Sequence, residues 1–289
     1  MILTKFDYEA PTSLDEACRI MAQFGDRARL LAGGTDLLIA LKRKEATPAL
    51  VVALDRVEEL KGIATDSDGI LVGARTTATE LADTWLGPAE QALAEAAALI
   101  GSPPVRNLAT VGGNLISAMP AADLAPPLLA LGASVVLERL ADQRVVELSD
   151  FFVGPGEQVM LPEEVMVLIF IPHLPEGSGG AFEKLGVRKA LERSIVSVAA
   201  VLSLEDDGKT IADARIALGA VAPTPMLASE AAAGLVGKKG TAKNFAAAAA
   251  VAATEARPRG RRTSAEYSRL MVETLTQRAL ERAYACARA

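Results

Sequence analysis

Two short segments carry the residue types best suited to hold a small anionic ligand. Ala32-Gly33-Gly34-Thr35-Asp36 and Thr110-Val111-Gly112-Gly113-Asn114 each set adjacent glycines beside Thr, Asp or Asn. Adjacent glycines can take positive φ and bring backbone N–H groups to a ligand with no Cβ in the way. The flanking Thr and Asn add hydroxyl and amide donors. Such backbone nests bind anions, phosphate oxygens above all. Read singly, each Gly-Gly is equally a tight turn without a ligand; two in one domain suit a pyrophosphate gripped from both sides, and so a dinucleotide. The spacing of a Rossmann fingerprint or a P-loop is absent. His173 is the sole histidine. Beside Pro172 at a strand end it reads as a surface or linker residue, which removes the usual parts of Ser-His-Asp and metal-hydrolase chemistry. Cys18 and Cys286 lie at opposite ends of the sequence and read as free thiols, too few for an iron-sulfur cluster.

The elements that must carry these segments follow from apolar runs and breakers. Residues 29–32 form a short strand into Gly33-Gly34, after which Thr35-Asp36 can cap a helix through Lys42. Strands are expected at 51–55 and 70–74, with a helix starting at Thr77 and another over 89–100 that Gly101-Ser102-Pro103-Pro104 ends. After the second glycine pair, 133–138, 143–148 and 165–171 read as strands. The Gly-rich stretch 175–180 marks a domain boundary. Three strands, 181–185, 195–204 and 211–221, then precede three helical segments beginning near 226, 241 and 263. The expected fold class is α+β: a domain over 1–175, with subdomains of about 1–56 and 57–175, then a domain over 176–289 with a three-stranded antiparallel sheet and a helix bundle.

With 289 residues, 51% hydrophobic and 23% charged, the sequence has the composition of a globular protein with a sizeable core. A formal net charge of -6 argues against nucleic acid as a partner. No apolar stretch reaches the roughly 18 residues of a membrane span. Met1 to Glu9 has acids where a signal peptide would be apolar, so the expected location is cytoplasmic.

Leu31-Ala32-Gly33-Gly34-Thr35-Asp36-Leu37-Leu38 and Thr110-Val111-Gly112-Gly113-Asn114, continuing to Pro120-Ala121-Ala122-Asp123-Leu124-Ala125-Pro126, closely resemble the FAD-binding medium subunit of molybdenum hydroxylases, the aerobic carbon monoxide dehydrogenase and xanthine dehydrogenase family. The resemblance extends over the chain. Phe182-Glu183-Lys184-Leu185-Gly186-Val187-Arg188-Lys189 resembles the opening strand of the family's C-terminal domain, and Arg262-Thr263-Ser264-Ala265-Glu266-Tyr267-Ser268-Arg269 its last-helix signature. The resemblance implies a two-part FAD-binding domain of the vanillyl-alcohol-oxidase (PCMH) type and non-covalent FAD. It implies that residues 31–38 with Thr110, Gly112, Gly113, Asn114 and Ser117 wrap the pyrophosphate and ribitol. Ile100 would touch the flavin or adenine side, Ala122 and Asp123 a polar portion of the cofactor, and Met166 and Leu168 the adenine. Lys184 would lie near the pyrimidine edge of the flavin. Asp123 can equally cap a helix at 124–131. In the segment that screens the isoalloxazine ring in relatives, Ala190-Leu191-Glu192-Arg193-Ser194-Ile195, the central arginine departs from the family pattern and leaves the gating residue open.

The implied function is electron transfer: a small subunit with 2Fe-2S clusters delivers electrons, FAD collects them, and NAD+, a quinone or oxygen receives them. A large molybdopterin subunit acts on the substrate, and the complex is implied to be a dimer of heterotrimers. The resemblance assigns no catalytic residue and no metal ligand to this chain. The alternative is a self-sufficient flavin oxidase of the same fold, many of which anchor FAD covalently through histidine.

Overall fold

The computed structural model describes residues 3–188, 190–260 and 262–289; Lys189 of the resemblance motif lies outside them. The chain builds three sheet-centred layers in sequence order. In the first lobe, β1 (Asp7–Glu9), α1 (Leu14–Phe24), β2 (Ala28–Leu31), α2 (Leu37–Arg43) and β3 (Leu50–Ala53) form a parallel sheet of order β1-β3-β2. Parallel neighbours need long crossovers, which α1 and α2 supply. The Ser13 hydroxyl starts α1 by accepting from the Glu16 amide. Ala17, Cys18 and Met21 then pack on Leu50 and Val52.

The second lobe is an antiparallel sheet of order β4-β5-β10-β6-β7, made of β4 (Ile63–Thr65), β5 (Gly69–Gly73), β6 (Ser134–Arg139), β7 (Asp142–Glu147) and β10 (Val165–Pro172). Five helices intervene between β5 and β6: α3 (Ala78–Asp83), α4 (Gln91–Ala98), α5 (Pro103–Arg106), α6 (Val111–Ile116) and α7 (Ala125–Ala130). A capping box between Thr77 and Glu80 fixes the start of α3. After β7 come α8 (Leu148–Phe151) and a small hairpin, β8 (Phe152–Gly154) with β9 (Glu157–Gln158).

The third layer is the antiparallel sheet β11 (Ser178–Leu185), β12 (Val196–Leu204), β13 (Ile211–Gly219) and β14 (Met226–Leu227), covered by α9 (Ser229–Ala233), α10 (Ala242–Glu255) and α11 (Ala265–Ala287). The sequence reading gave three strands and a helix from about 226. Met226–Leu227 instead add a fourth, two-residue strand, and the helix starts at Ser229. Every residue of β12 is buried because both faces are covered. Ala199 and Val201 enter the core shared with the second lobe, while Val198, Ala200 and Leu202 enter the core under α10 and α11. The third layer is therefore continuous with the second in its packing.

Candidate functional site

A cleft of about 960 Å³ lies between the first two lobes and the segment leading into β12. Cofactor sites fall in the range of roughly 300–1,000 Å³. The first twin-glycine segment enters the cleft from the carboxyl end of the parallel strand β2, where ligands of α/β units sit. Ala32, Gly33, Gly34, Thr35, Asp36 and Leu37 line the cleft. Gly33 is pressed against the second lobe: a Cβ there would occupy the space of the Leu108 carbonyl. Gly34 turns the chain at φ 71°. The amides of Gly33, Gly34, Thr35 and Asp36 donate to no carbonyl among the described residues. Asp36 sits at the N-cap of α2 in αR geometry and its side chain makes no cap hydrogen bond, contrary to the capping expected from sequence. Leu31 and Leu38 are not among the lining residues; their side chains lie where a Cβ on Gly34 would stand.

The second glycine pair is built differently. It forms the first turn of α6, with no positive φ, and its amides are taken. The Gly112 amide donates to the Ala74 carbonyl at 2.9 Å, and the Gly113 amide to the Thr110 hydroxyl at 3.2 Å. Gly112 is small because Ala74 stands where its Cβ would be. Thr110, Gly112, Gly113, Asn114 and Ser117 all line the cleft. Asn114 Oδ1 accepts from the Leu124 amide at 3.2 Å, which fixes the chain just after Asp123.

Asp123 faces the cleft but is held from behind. Lys184 Nζ donates to its Oδ2 at 2.6 Å and to the Leu99 carbonyl at 3.1 Å, and the Ser194 hydroxyl donates to its Oδ1. The side chains of Asp123 and Lys184 are only 8% and 7% exposed. Burial pushes the Asp123 carboxyl up, against the opposing pull of Lys184 and Ser194. Lys184 itself does not line the cleft; it reaches it through Asp123. Asp123 makes no cap on α7, whose N-cap is Leu124. Ala122 is buried behind the wall that Ala121 presents.

Ile100 and Met166 supply apolar wall. Leu168 does not, because β10 shifts register against β6 between Met166 and Leu168. Glu164 and Val165 line the cleft there instead. Glu164 receives Arg144 Nε at 2.6 Å and the Leu161 amide at 2.7 Å. Burial opposes its ionisation, but the hydrogen bonds from Arg144 and Leu161 win and hold its carboxyl below the usual range. This pair fixes the segment from Met160 to Pro162, which closes one end of the cleft. Arg75 lines the cleft and donates to the carbonyls of Asp55 and Val57, tying the first lobe to the second. Sequence reading missed Arg75, Glu164 and the 156–162 wall, which carry no motif. His173 bonds the Asp66 carbonyl, away from the cleft.

This combination of a parallel-sheet lobe, an antiparallel-sheet lobe and a β-sheet cap around one long cleft defines a two-lobed nucleotide-cofactor domain with a C-terminal cap. Residues 4–174 match the family model described as FAD binding domain in molybdopterin dehydrogenase, and residues 181–283 that of the CO dehydrogenase flavoprotein C-terminal domain. The carbon monoxide dehydrogenase medium chain of Hydrogenophaga pseudoflava is 36% identical over 99% of both chains. The xanthine dehydrogenase FAD-binding subunit of Escherichia coli O157:H7 is 31% identical over 97% of this chain and 96% of that one. Among solved structures, the Hydrogenophaga pseudoflava carbon monoxide dehydrogenase superposes with a TM-score of 0.92 at 36% identity, covering 99% of each chain. Quinoline 2-oxidoreductase from Pseudomonas putida 86 superposes with a TM-score of 0.90 at 30% identity, covering 100% of each. The chain belongs to the family of FAD-binding medium subunits of molybdopterin-dependent hydroxylases.

Proposed function

We propose that this chain holds FAD non-covalently in the cleft and relays electrons within a molybdenum hydroxylase complex. It would receive them from the 2Fe-2S clusters of a small subunit and pass them to NAD+, a quinone or oxygen. A large molybdopterin subunit would act on the substrate, in a dimer of heterotrimers. The observation that carries the reading is the row of open amides from Gly33 to Asp36 in the wall of a cleft of about 960 Å³. These amides suit a pyrophosphate, which needs several convergent donors and no nearby Cβ. When bound, FAD supplies the exchange between one-electron and two-electron transfer.

The residues of the chain do the holding. Ile100 and Met166 offer apolar contact to the ring systems. Each Asp123 oxygen already accepts one hydrogen bond, and a carboxylate has about four acceptor sites, so a cofactor hydroxyl or N–H can still be taken. Lys184 and Ser194 orient that carboxylate. The Glu164–Arg144 pair holds the wall from Met160 to Pro162 in place. The sole histidine lies away from the cleft, which disfavours a covalently anchored flavin oxidase. Among the described residues no helix is long and apolar enough to cross a membrane.

Acid precipitation of the purified, FAD-loaded chain tests this reading. All flavin should appear in the supernatant as FAD. Flavin retained on the precipitated protein, or a chain that takes up no FAD at all, would contradict it.

A further inference from the structure

Arg29, Arg75 and Arg193 line the cleft. Arg29 and Arg193 are exposed, whereas Arg75 is half-buried. A cation partly withdrawn from water calls for a counter-charge. Among the described residues no carboxylate lies within ion-pair distance of Arg75. Its side chain donates instead to two main-chain carbonyls, Nη2 to Asp55 at 2.6 Å and Nη1 to Val57 at 2.8 Å. A guanidinium has more N–H donors than these two acceptors take up. The carboxylates that line the cleft do not cancel the charge: Asp123 is matched by Lys184, Glu164 by Arg144, and Glu192 by Arg188 and Arg262, while Asp26 and Asp36 are exposed.

The two carbonyls locate that charge. Strands β2 and β3 run parallel with Leu31 opposite Ala53 at their carboxyl ends, and the Leu54 amide donates to the Leu31 carbonyl at 2.9 Å. Beyond this last rung one strand continues into Ala32-Gly33-Gly34 and the other into Asp55-Arg56-Val57. A guanidinium bonded to Asp55 and Val57 therefore stands at the same sheet edge as the open amides of Gly33 to Asp36. The backbone beneath it is fixed too. The Arg75 amide donates to the Leu60 carbonyl at 2.8 Å, and the carbonyl of Ala74, one residue back, receives the Gly112 amide at 2.9 Å. Arg75 thus joins the edge that carries the first glycine pair to the helix turn that carries the second.

We infer that Arg75 binds the pyrophosphate of the cofactor, supplying the positive charge that the neutral amides of Gly33 to Asp36 lack. The inference rests on the cleft being the FAD site. Guanidinium donors match phosphate oxygens in geometry and charge. In a chain of formal net charge -6, an anionic cofactor gains from a cation fixed beside its cradle. The bonds to Asp55 and Val57 hold the guanidinium in place before the cofactor arrives, so little side-chain freedom is lost on binding.

Fluorescence titration of the FAD-free full chain with FAD, and separately with riboflavin, which has the flavin ring but no phosphate, tests the assignment over a range of salt. Arg75→Met removes the charge and both carbonyl bonds; Arg75→Lys keeps the charge without the planar fork. The FAD dissociation constant should rise about tenfold or more in Arg75→Met, the loss of a charge-assisted hydrogen bond, and by less in Arg75→Lys. FAD affinity should fall with salt in the wild type and in Arg75→Lys, and fall less steeply in Arg75→Met. Riboflavin affinity should be the same in all three. Equal FAD affinity in Arg75→Met and the wild type overturns the inference. So does an equal loss for FAD and riboflavin with unchanged salt dependence, which would make Arg75 a tie between the lobes and nothing more. Should Arg75→Met fail to fold, Arg75→Lys decides: a loss confined to FAD supports the role, and an equal loss for both ligands, or none for either, overturns it. A wild-type chain that takes up no FAD overturns the reading of the cleft, whereas a FAD-binding chain indifferent to Arg75→Met overturns the role of Arg75 alone.

Discussion

Gly33-Gly34 and Gly112-Gly113 differ in where their amides go. In the first pair the residues line the cleft, their amides have no carbonyl partner among the described residues, and one glycine holds φ 71°. In the second the amides close the first turn of α6 and bond Ala74 and Thr110. The same dipeptide is an open turn in the cleft wall, the proposed cofactor cradle, in one place and a close-packed joint in the other. What decides is the element that follows. Gly33-Gly34 leaves a parallel strand and turns freely before α2, whereas Gly112-Gly113 is already helical and lies against Ala74 of the neighbouring strand end. The glycine count alone therefore overstates how many donors the ligand meets.

The joint extends from α6 through Asn114 to Asp123, and from there to Lys184 and Ser194 of the third layer. The largest effect should come from breaking it. Lys184→Met leaves a buried, unpaired carboxylate and should cost about 3–5 kcal/mol in urea unfolding. If unfolding is unchanged, the joint is not structural. Gly33→Ala strikes the cradle and its support together. Its Cβ meets the fixed backbone of Leu108, so a loss of about 3 kcal/mol and of bound flavin should appear together. Retained flavin with normal stability would show that the two lobes can slide apart at no cost.

A smaller effect concerns the end wall at Glu164. Its folded carboxyl lies below the ordinary value, so its stabilisation is present above the unfolded glutamate pKa, about 4.3, and fades as pH falls through the folded value. Thermal unfolding should therefore place Glu164→Gln below the wild type near neutral pH, with the two melting temperatures converging as pH falls below about 4.3. A gap independent of pH would mean that packing, not charge, holds the 156–162 wall.

Much of the fold was legible because its strands are apolar runs between breakers. β12 read as a strand over 195–204, and its mostly apolar residues are all buried. Helix α1 escaped notice although Ser13 and Glu16 carry a capping pattern, and the two-residue β14 was too short to show a period. In the site, the twin glycines and Asp123 were visible as residue types. Leu168 was placed in the wall by the family resemblance, and here the strand shifts register after Met166 and Leu168 is not among the lining residues. The wall at 156–162 was invisible, since it is set by a pair 20 residues apart, Arg144 and Glu164, with no motif of their own. Lys184 was visible as a cation, but only the fold shows that it acts on the cleft through Asp123.

The contrast between the two glycine pairs is tested most directly by FAD titration of Gly34→Ala and Gly113→Ala, followed by flavin fluorescence. A Cβ on Gly34 must sit at positive φ in the cradle, whereas a Cβ on Gly113 keeps helical geometry and approaches the Thr110 hydroxyl at 2.9 Å. The FAD dissociation constant should rise about tenfold in Gly34→Ala, the equivalent of about 1.4 kcal/mol. In Gly113→Ala it should stay within about threefold, with the change appearing mainly as a loss of stability from the disturbed cap. Equal weakening in both, or a larger loss in Gly113→Ala, would contradict the assignment of the open amides to the cofactor.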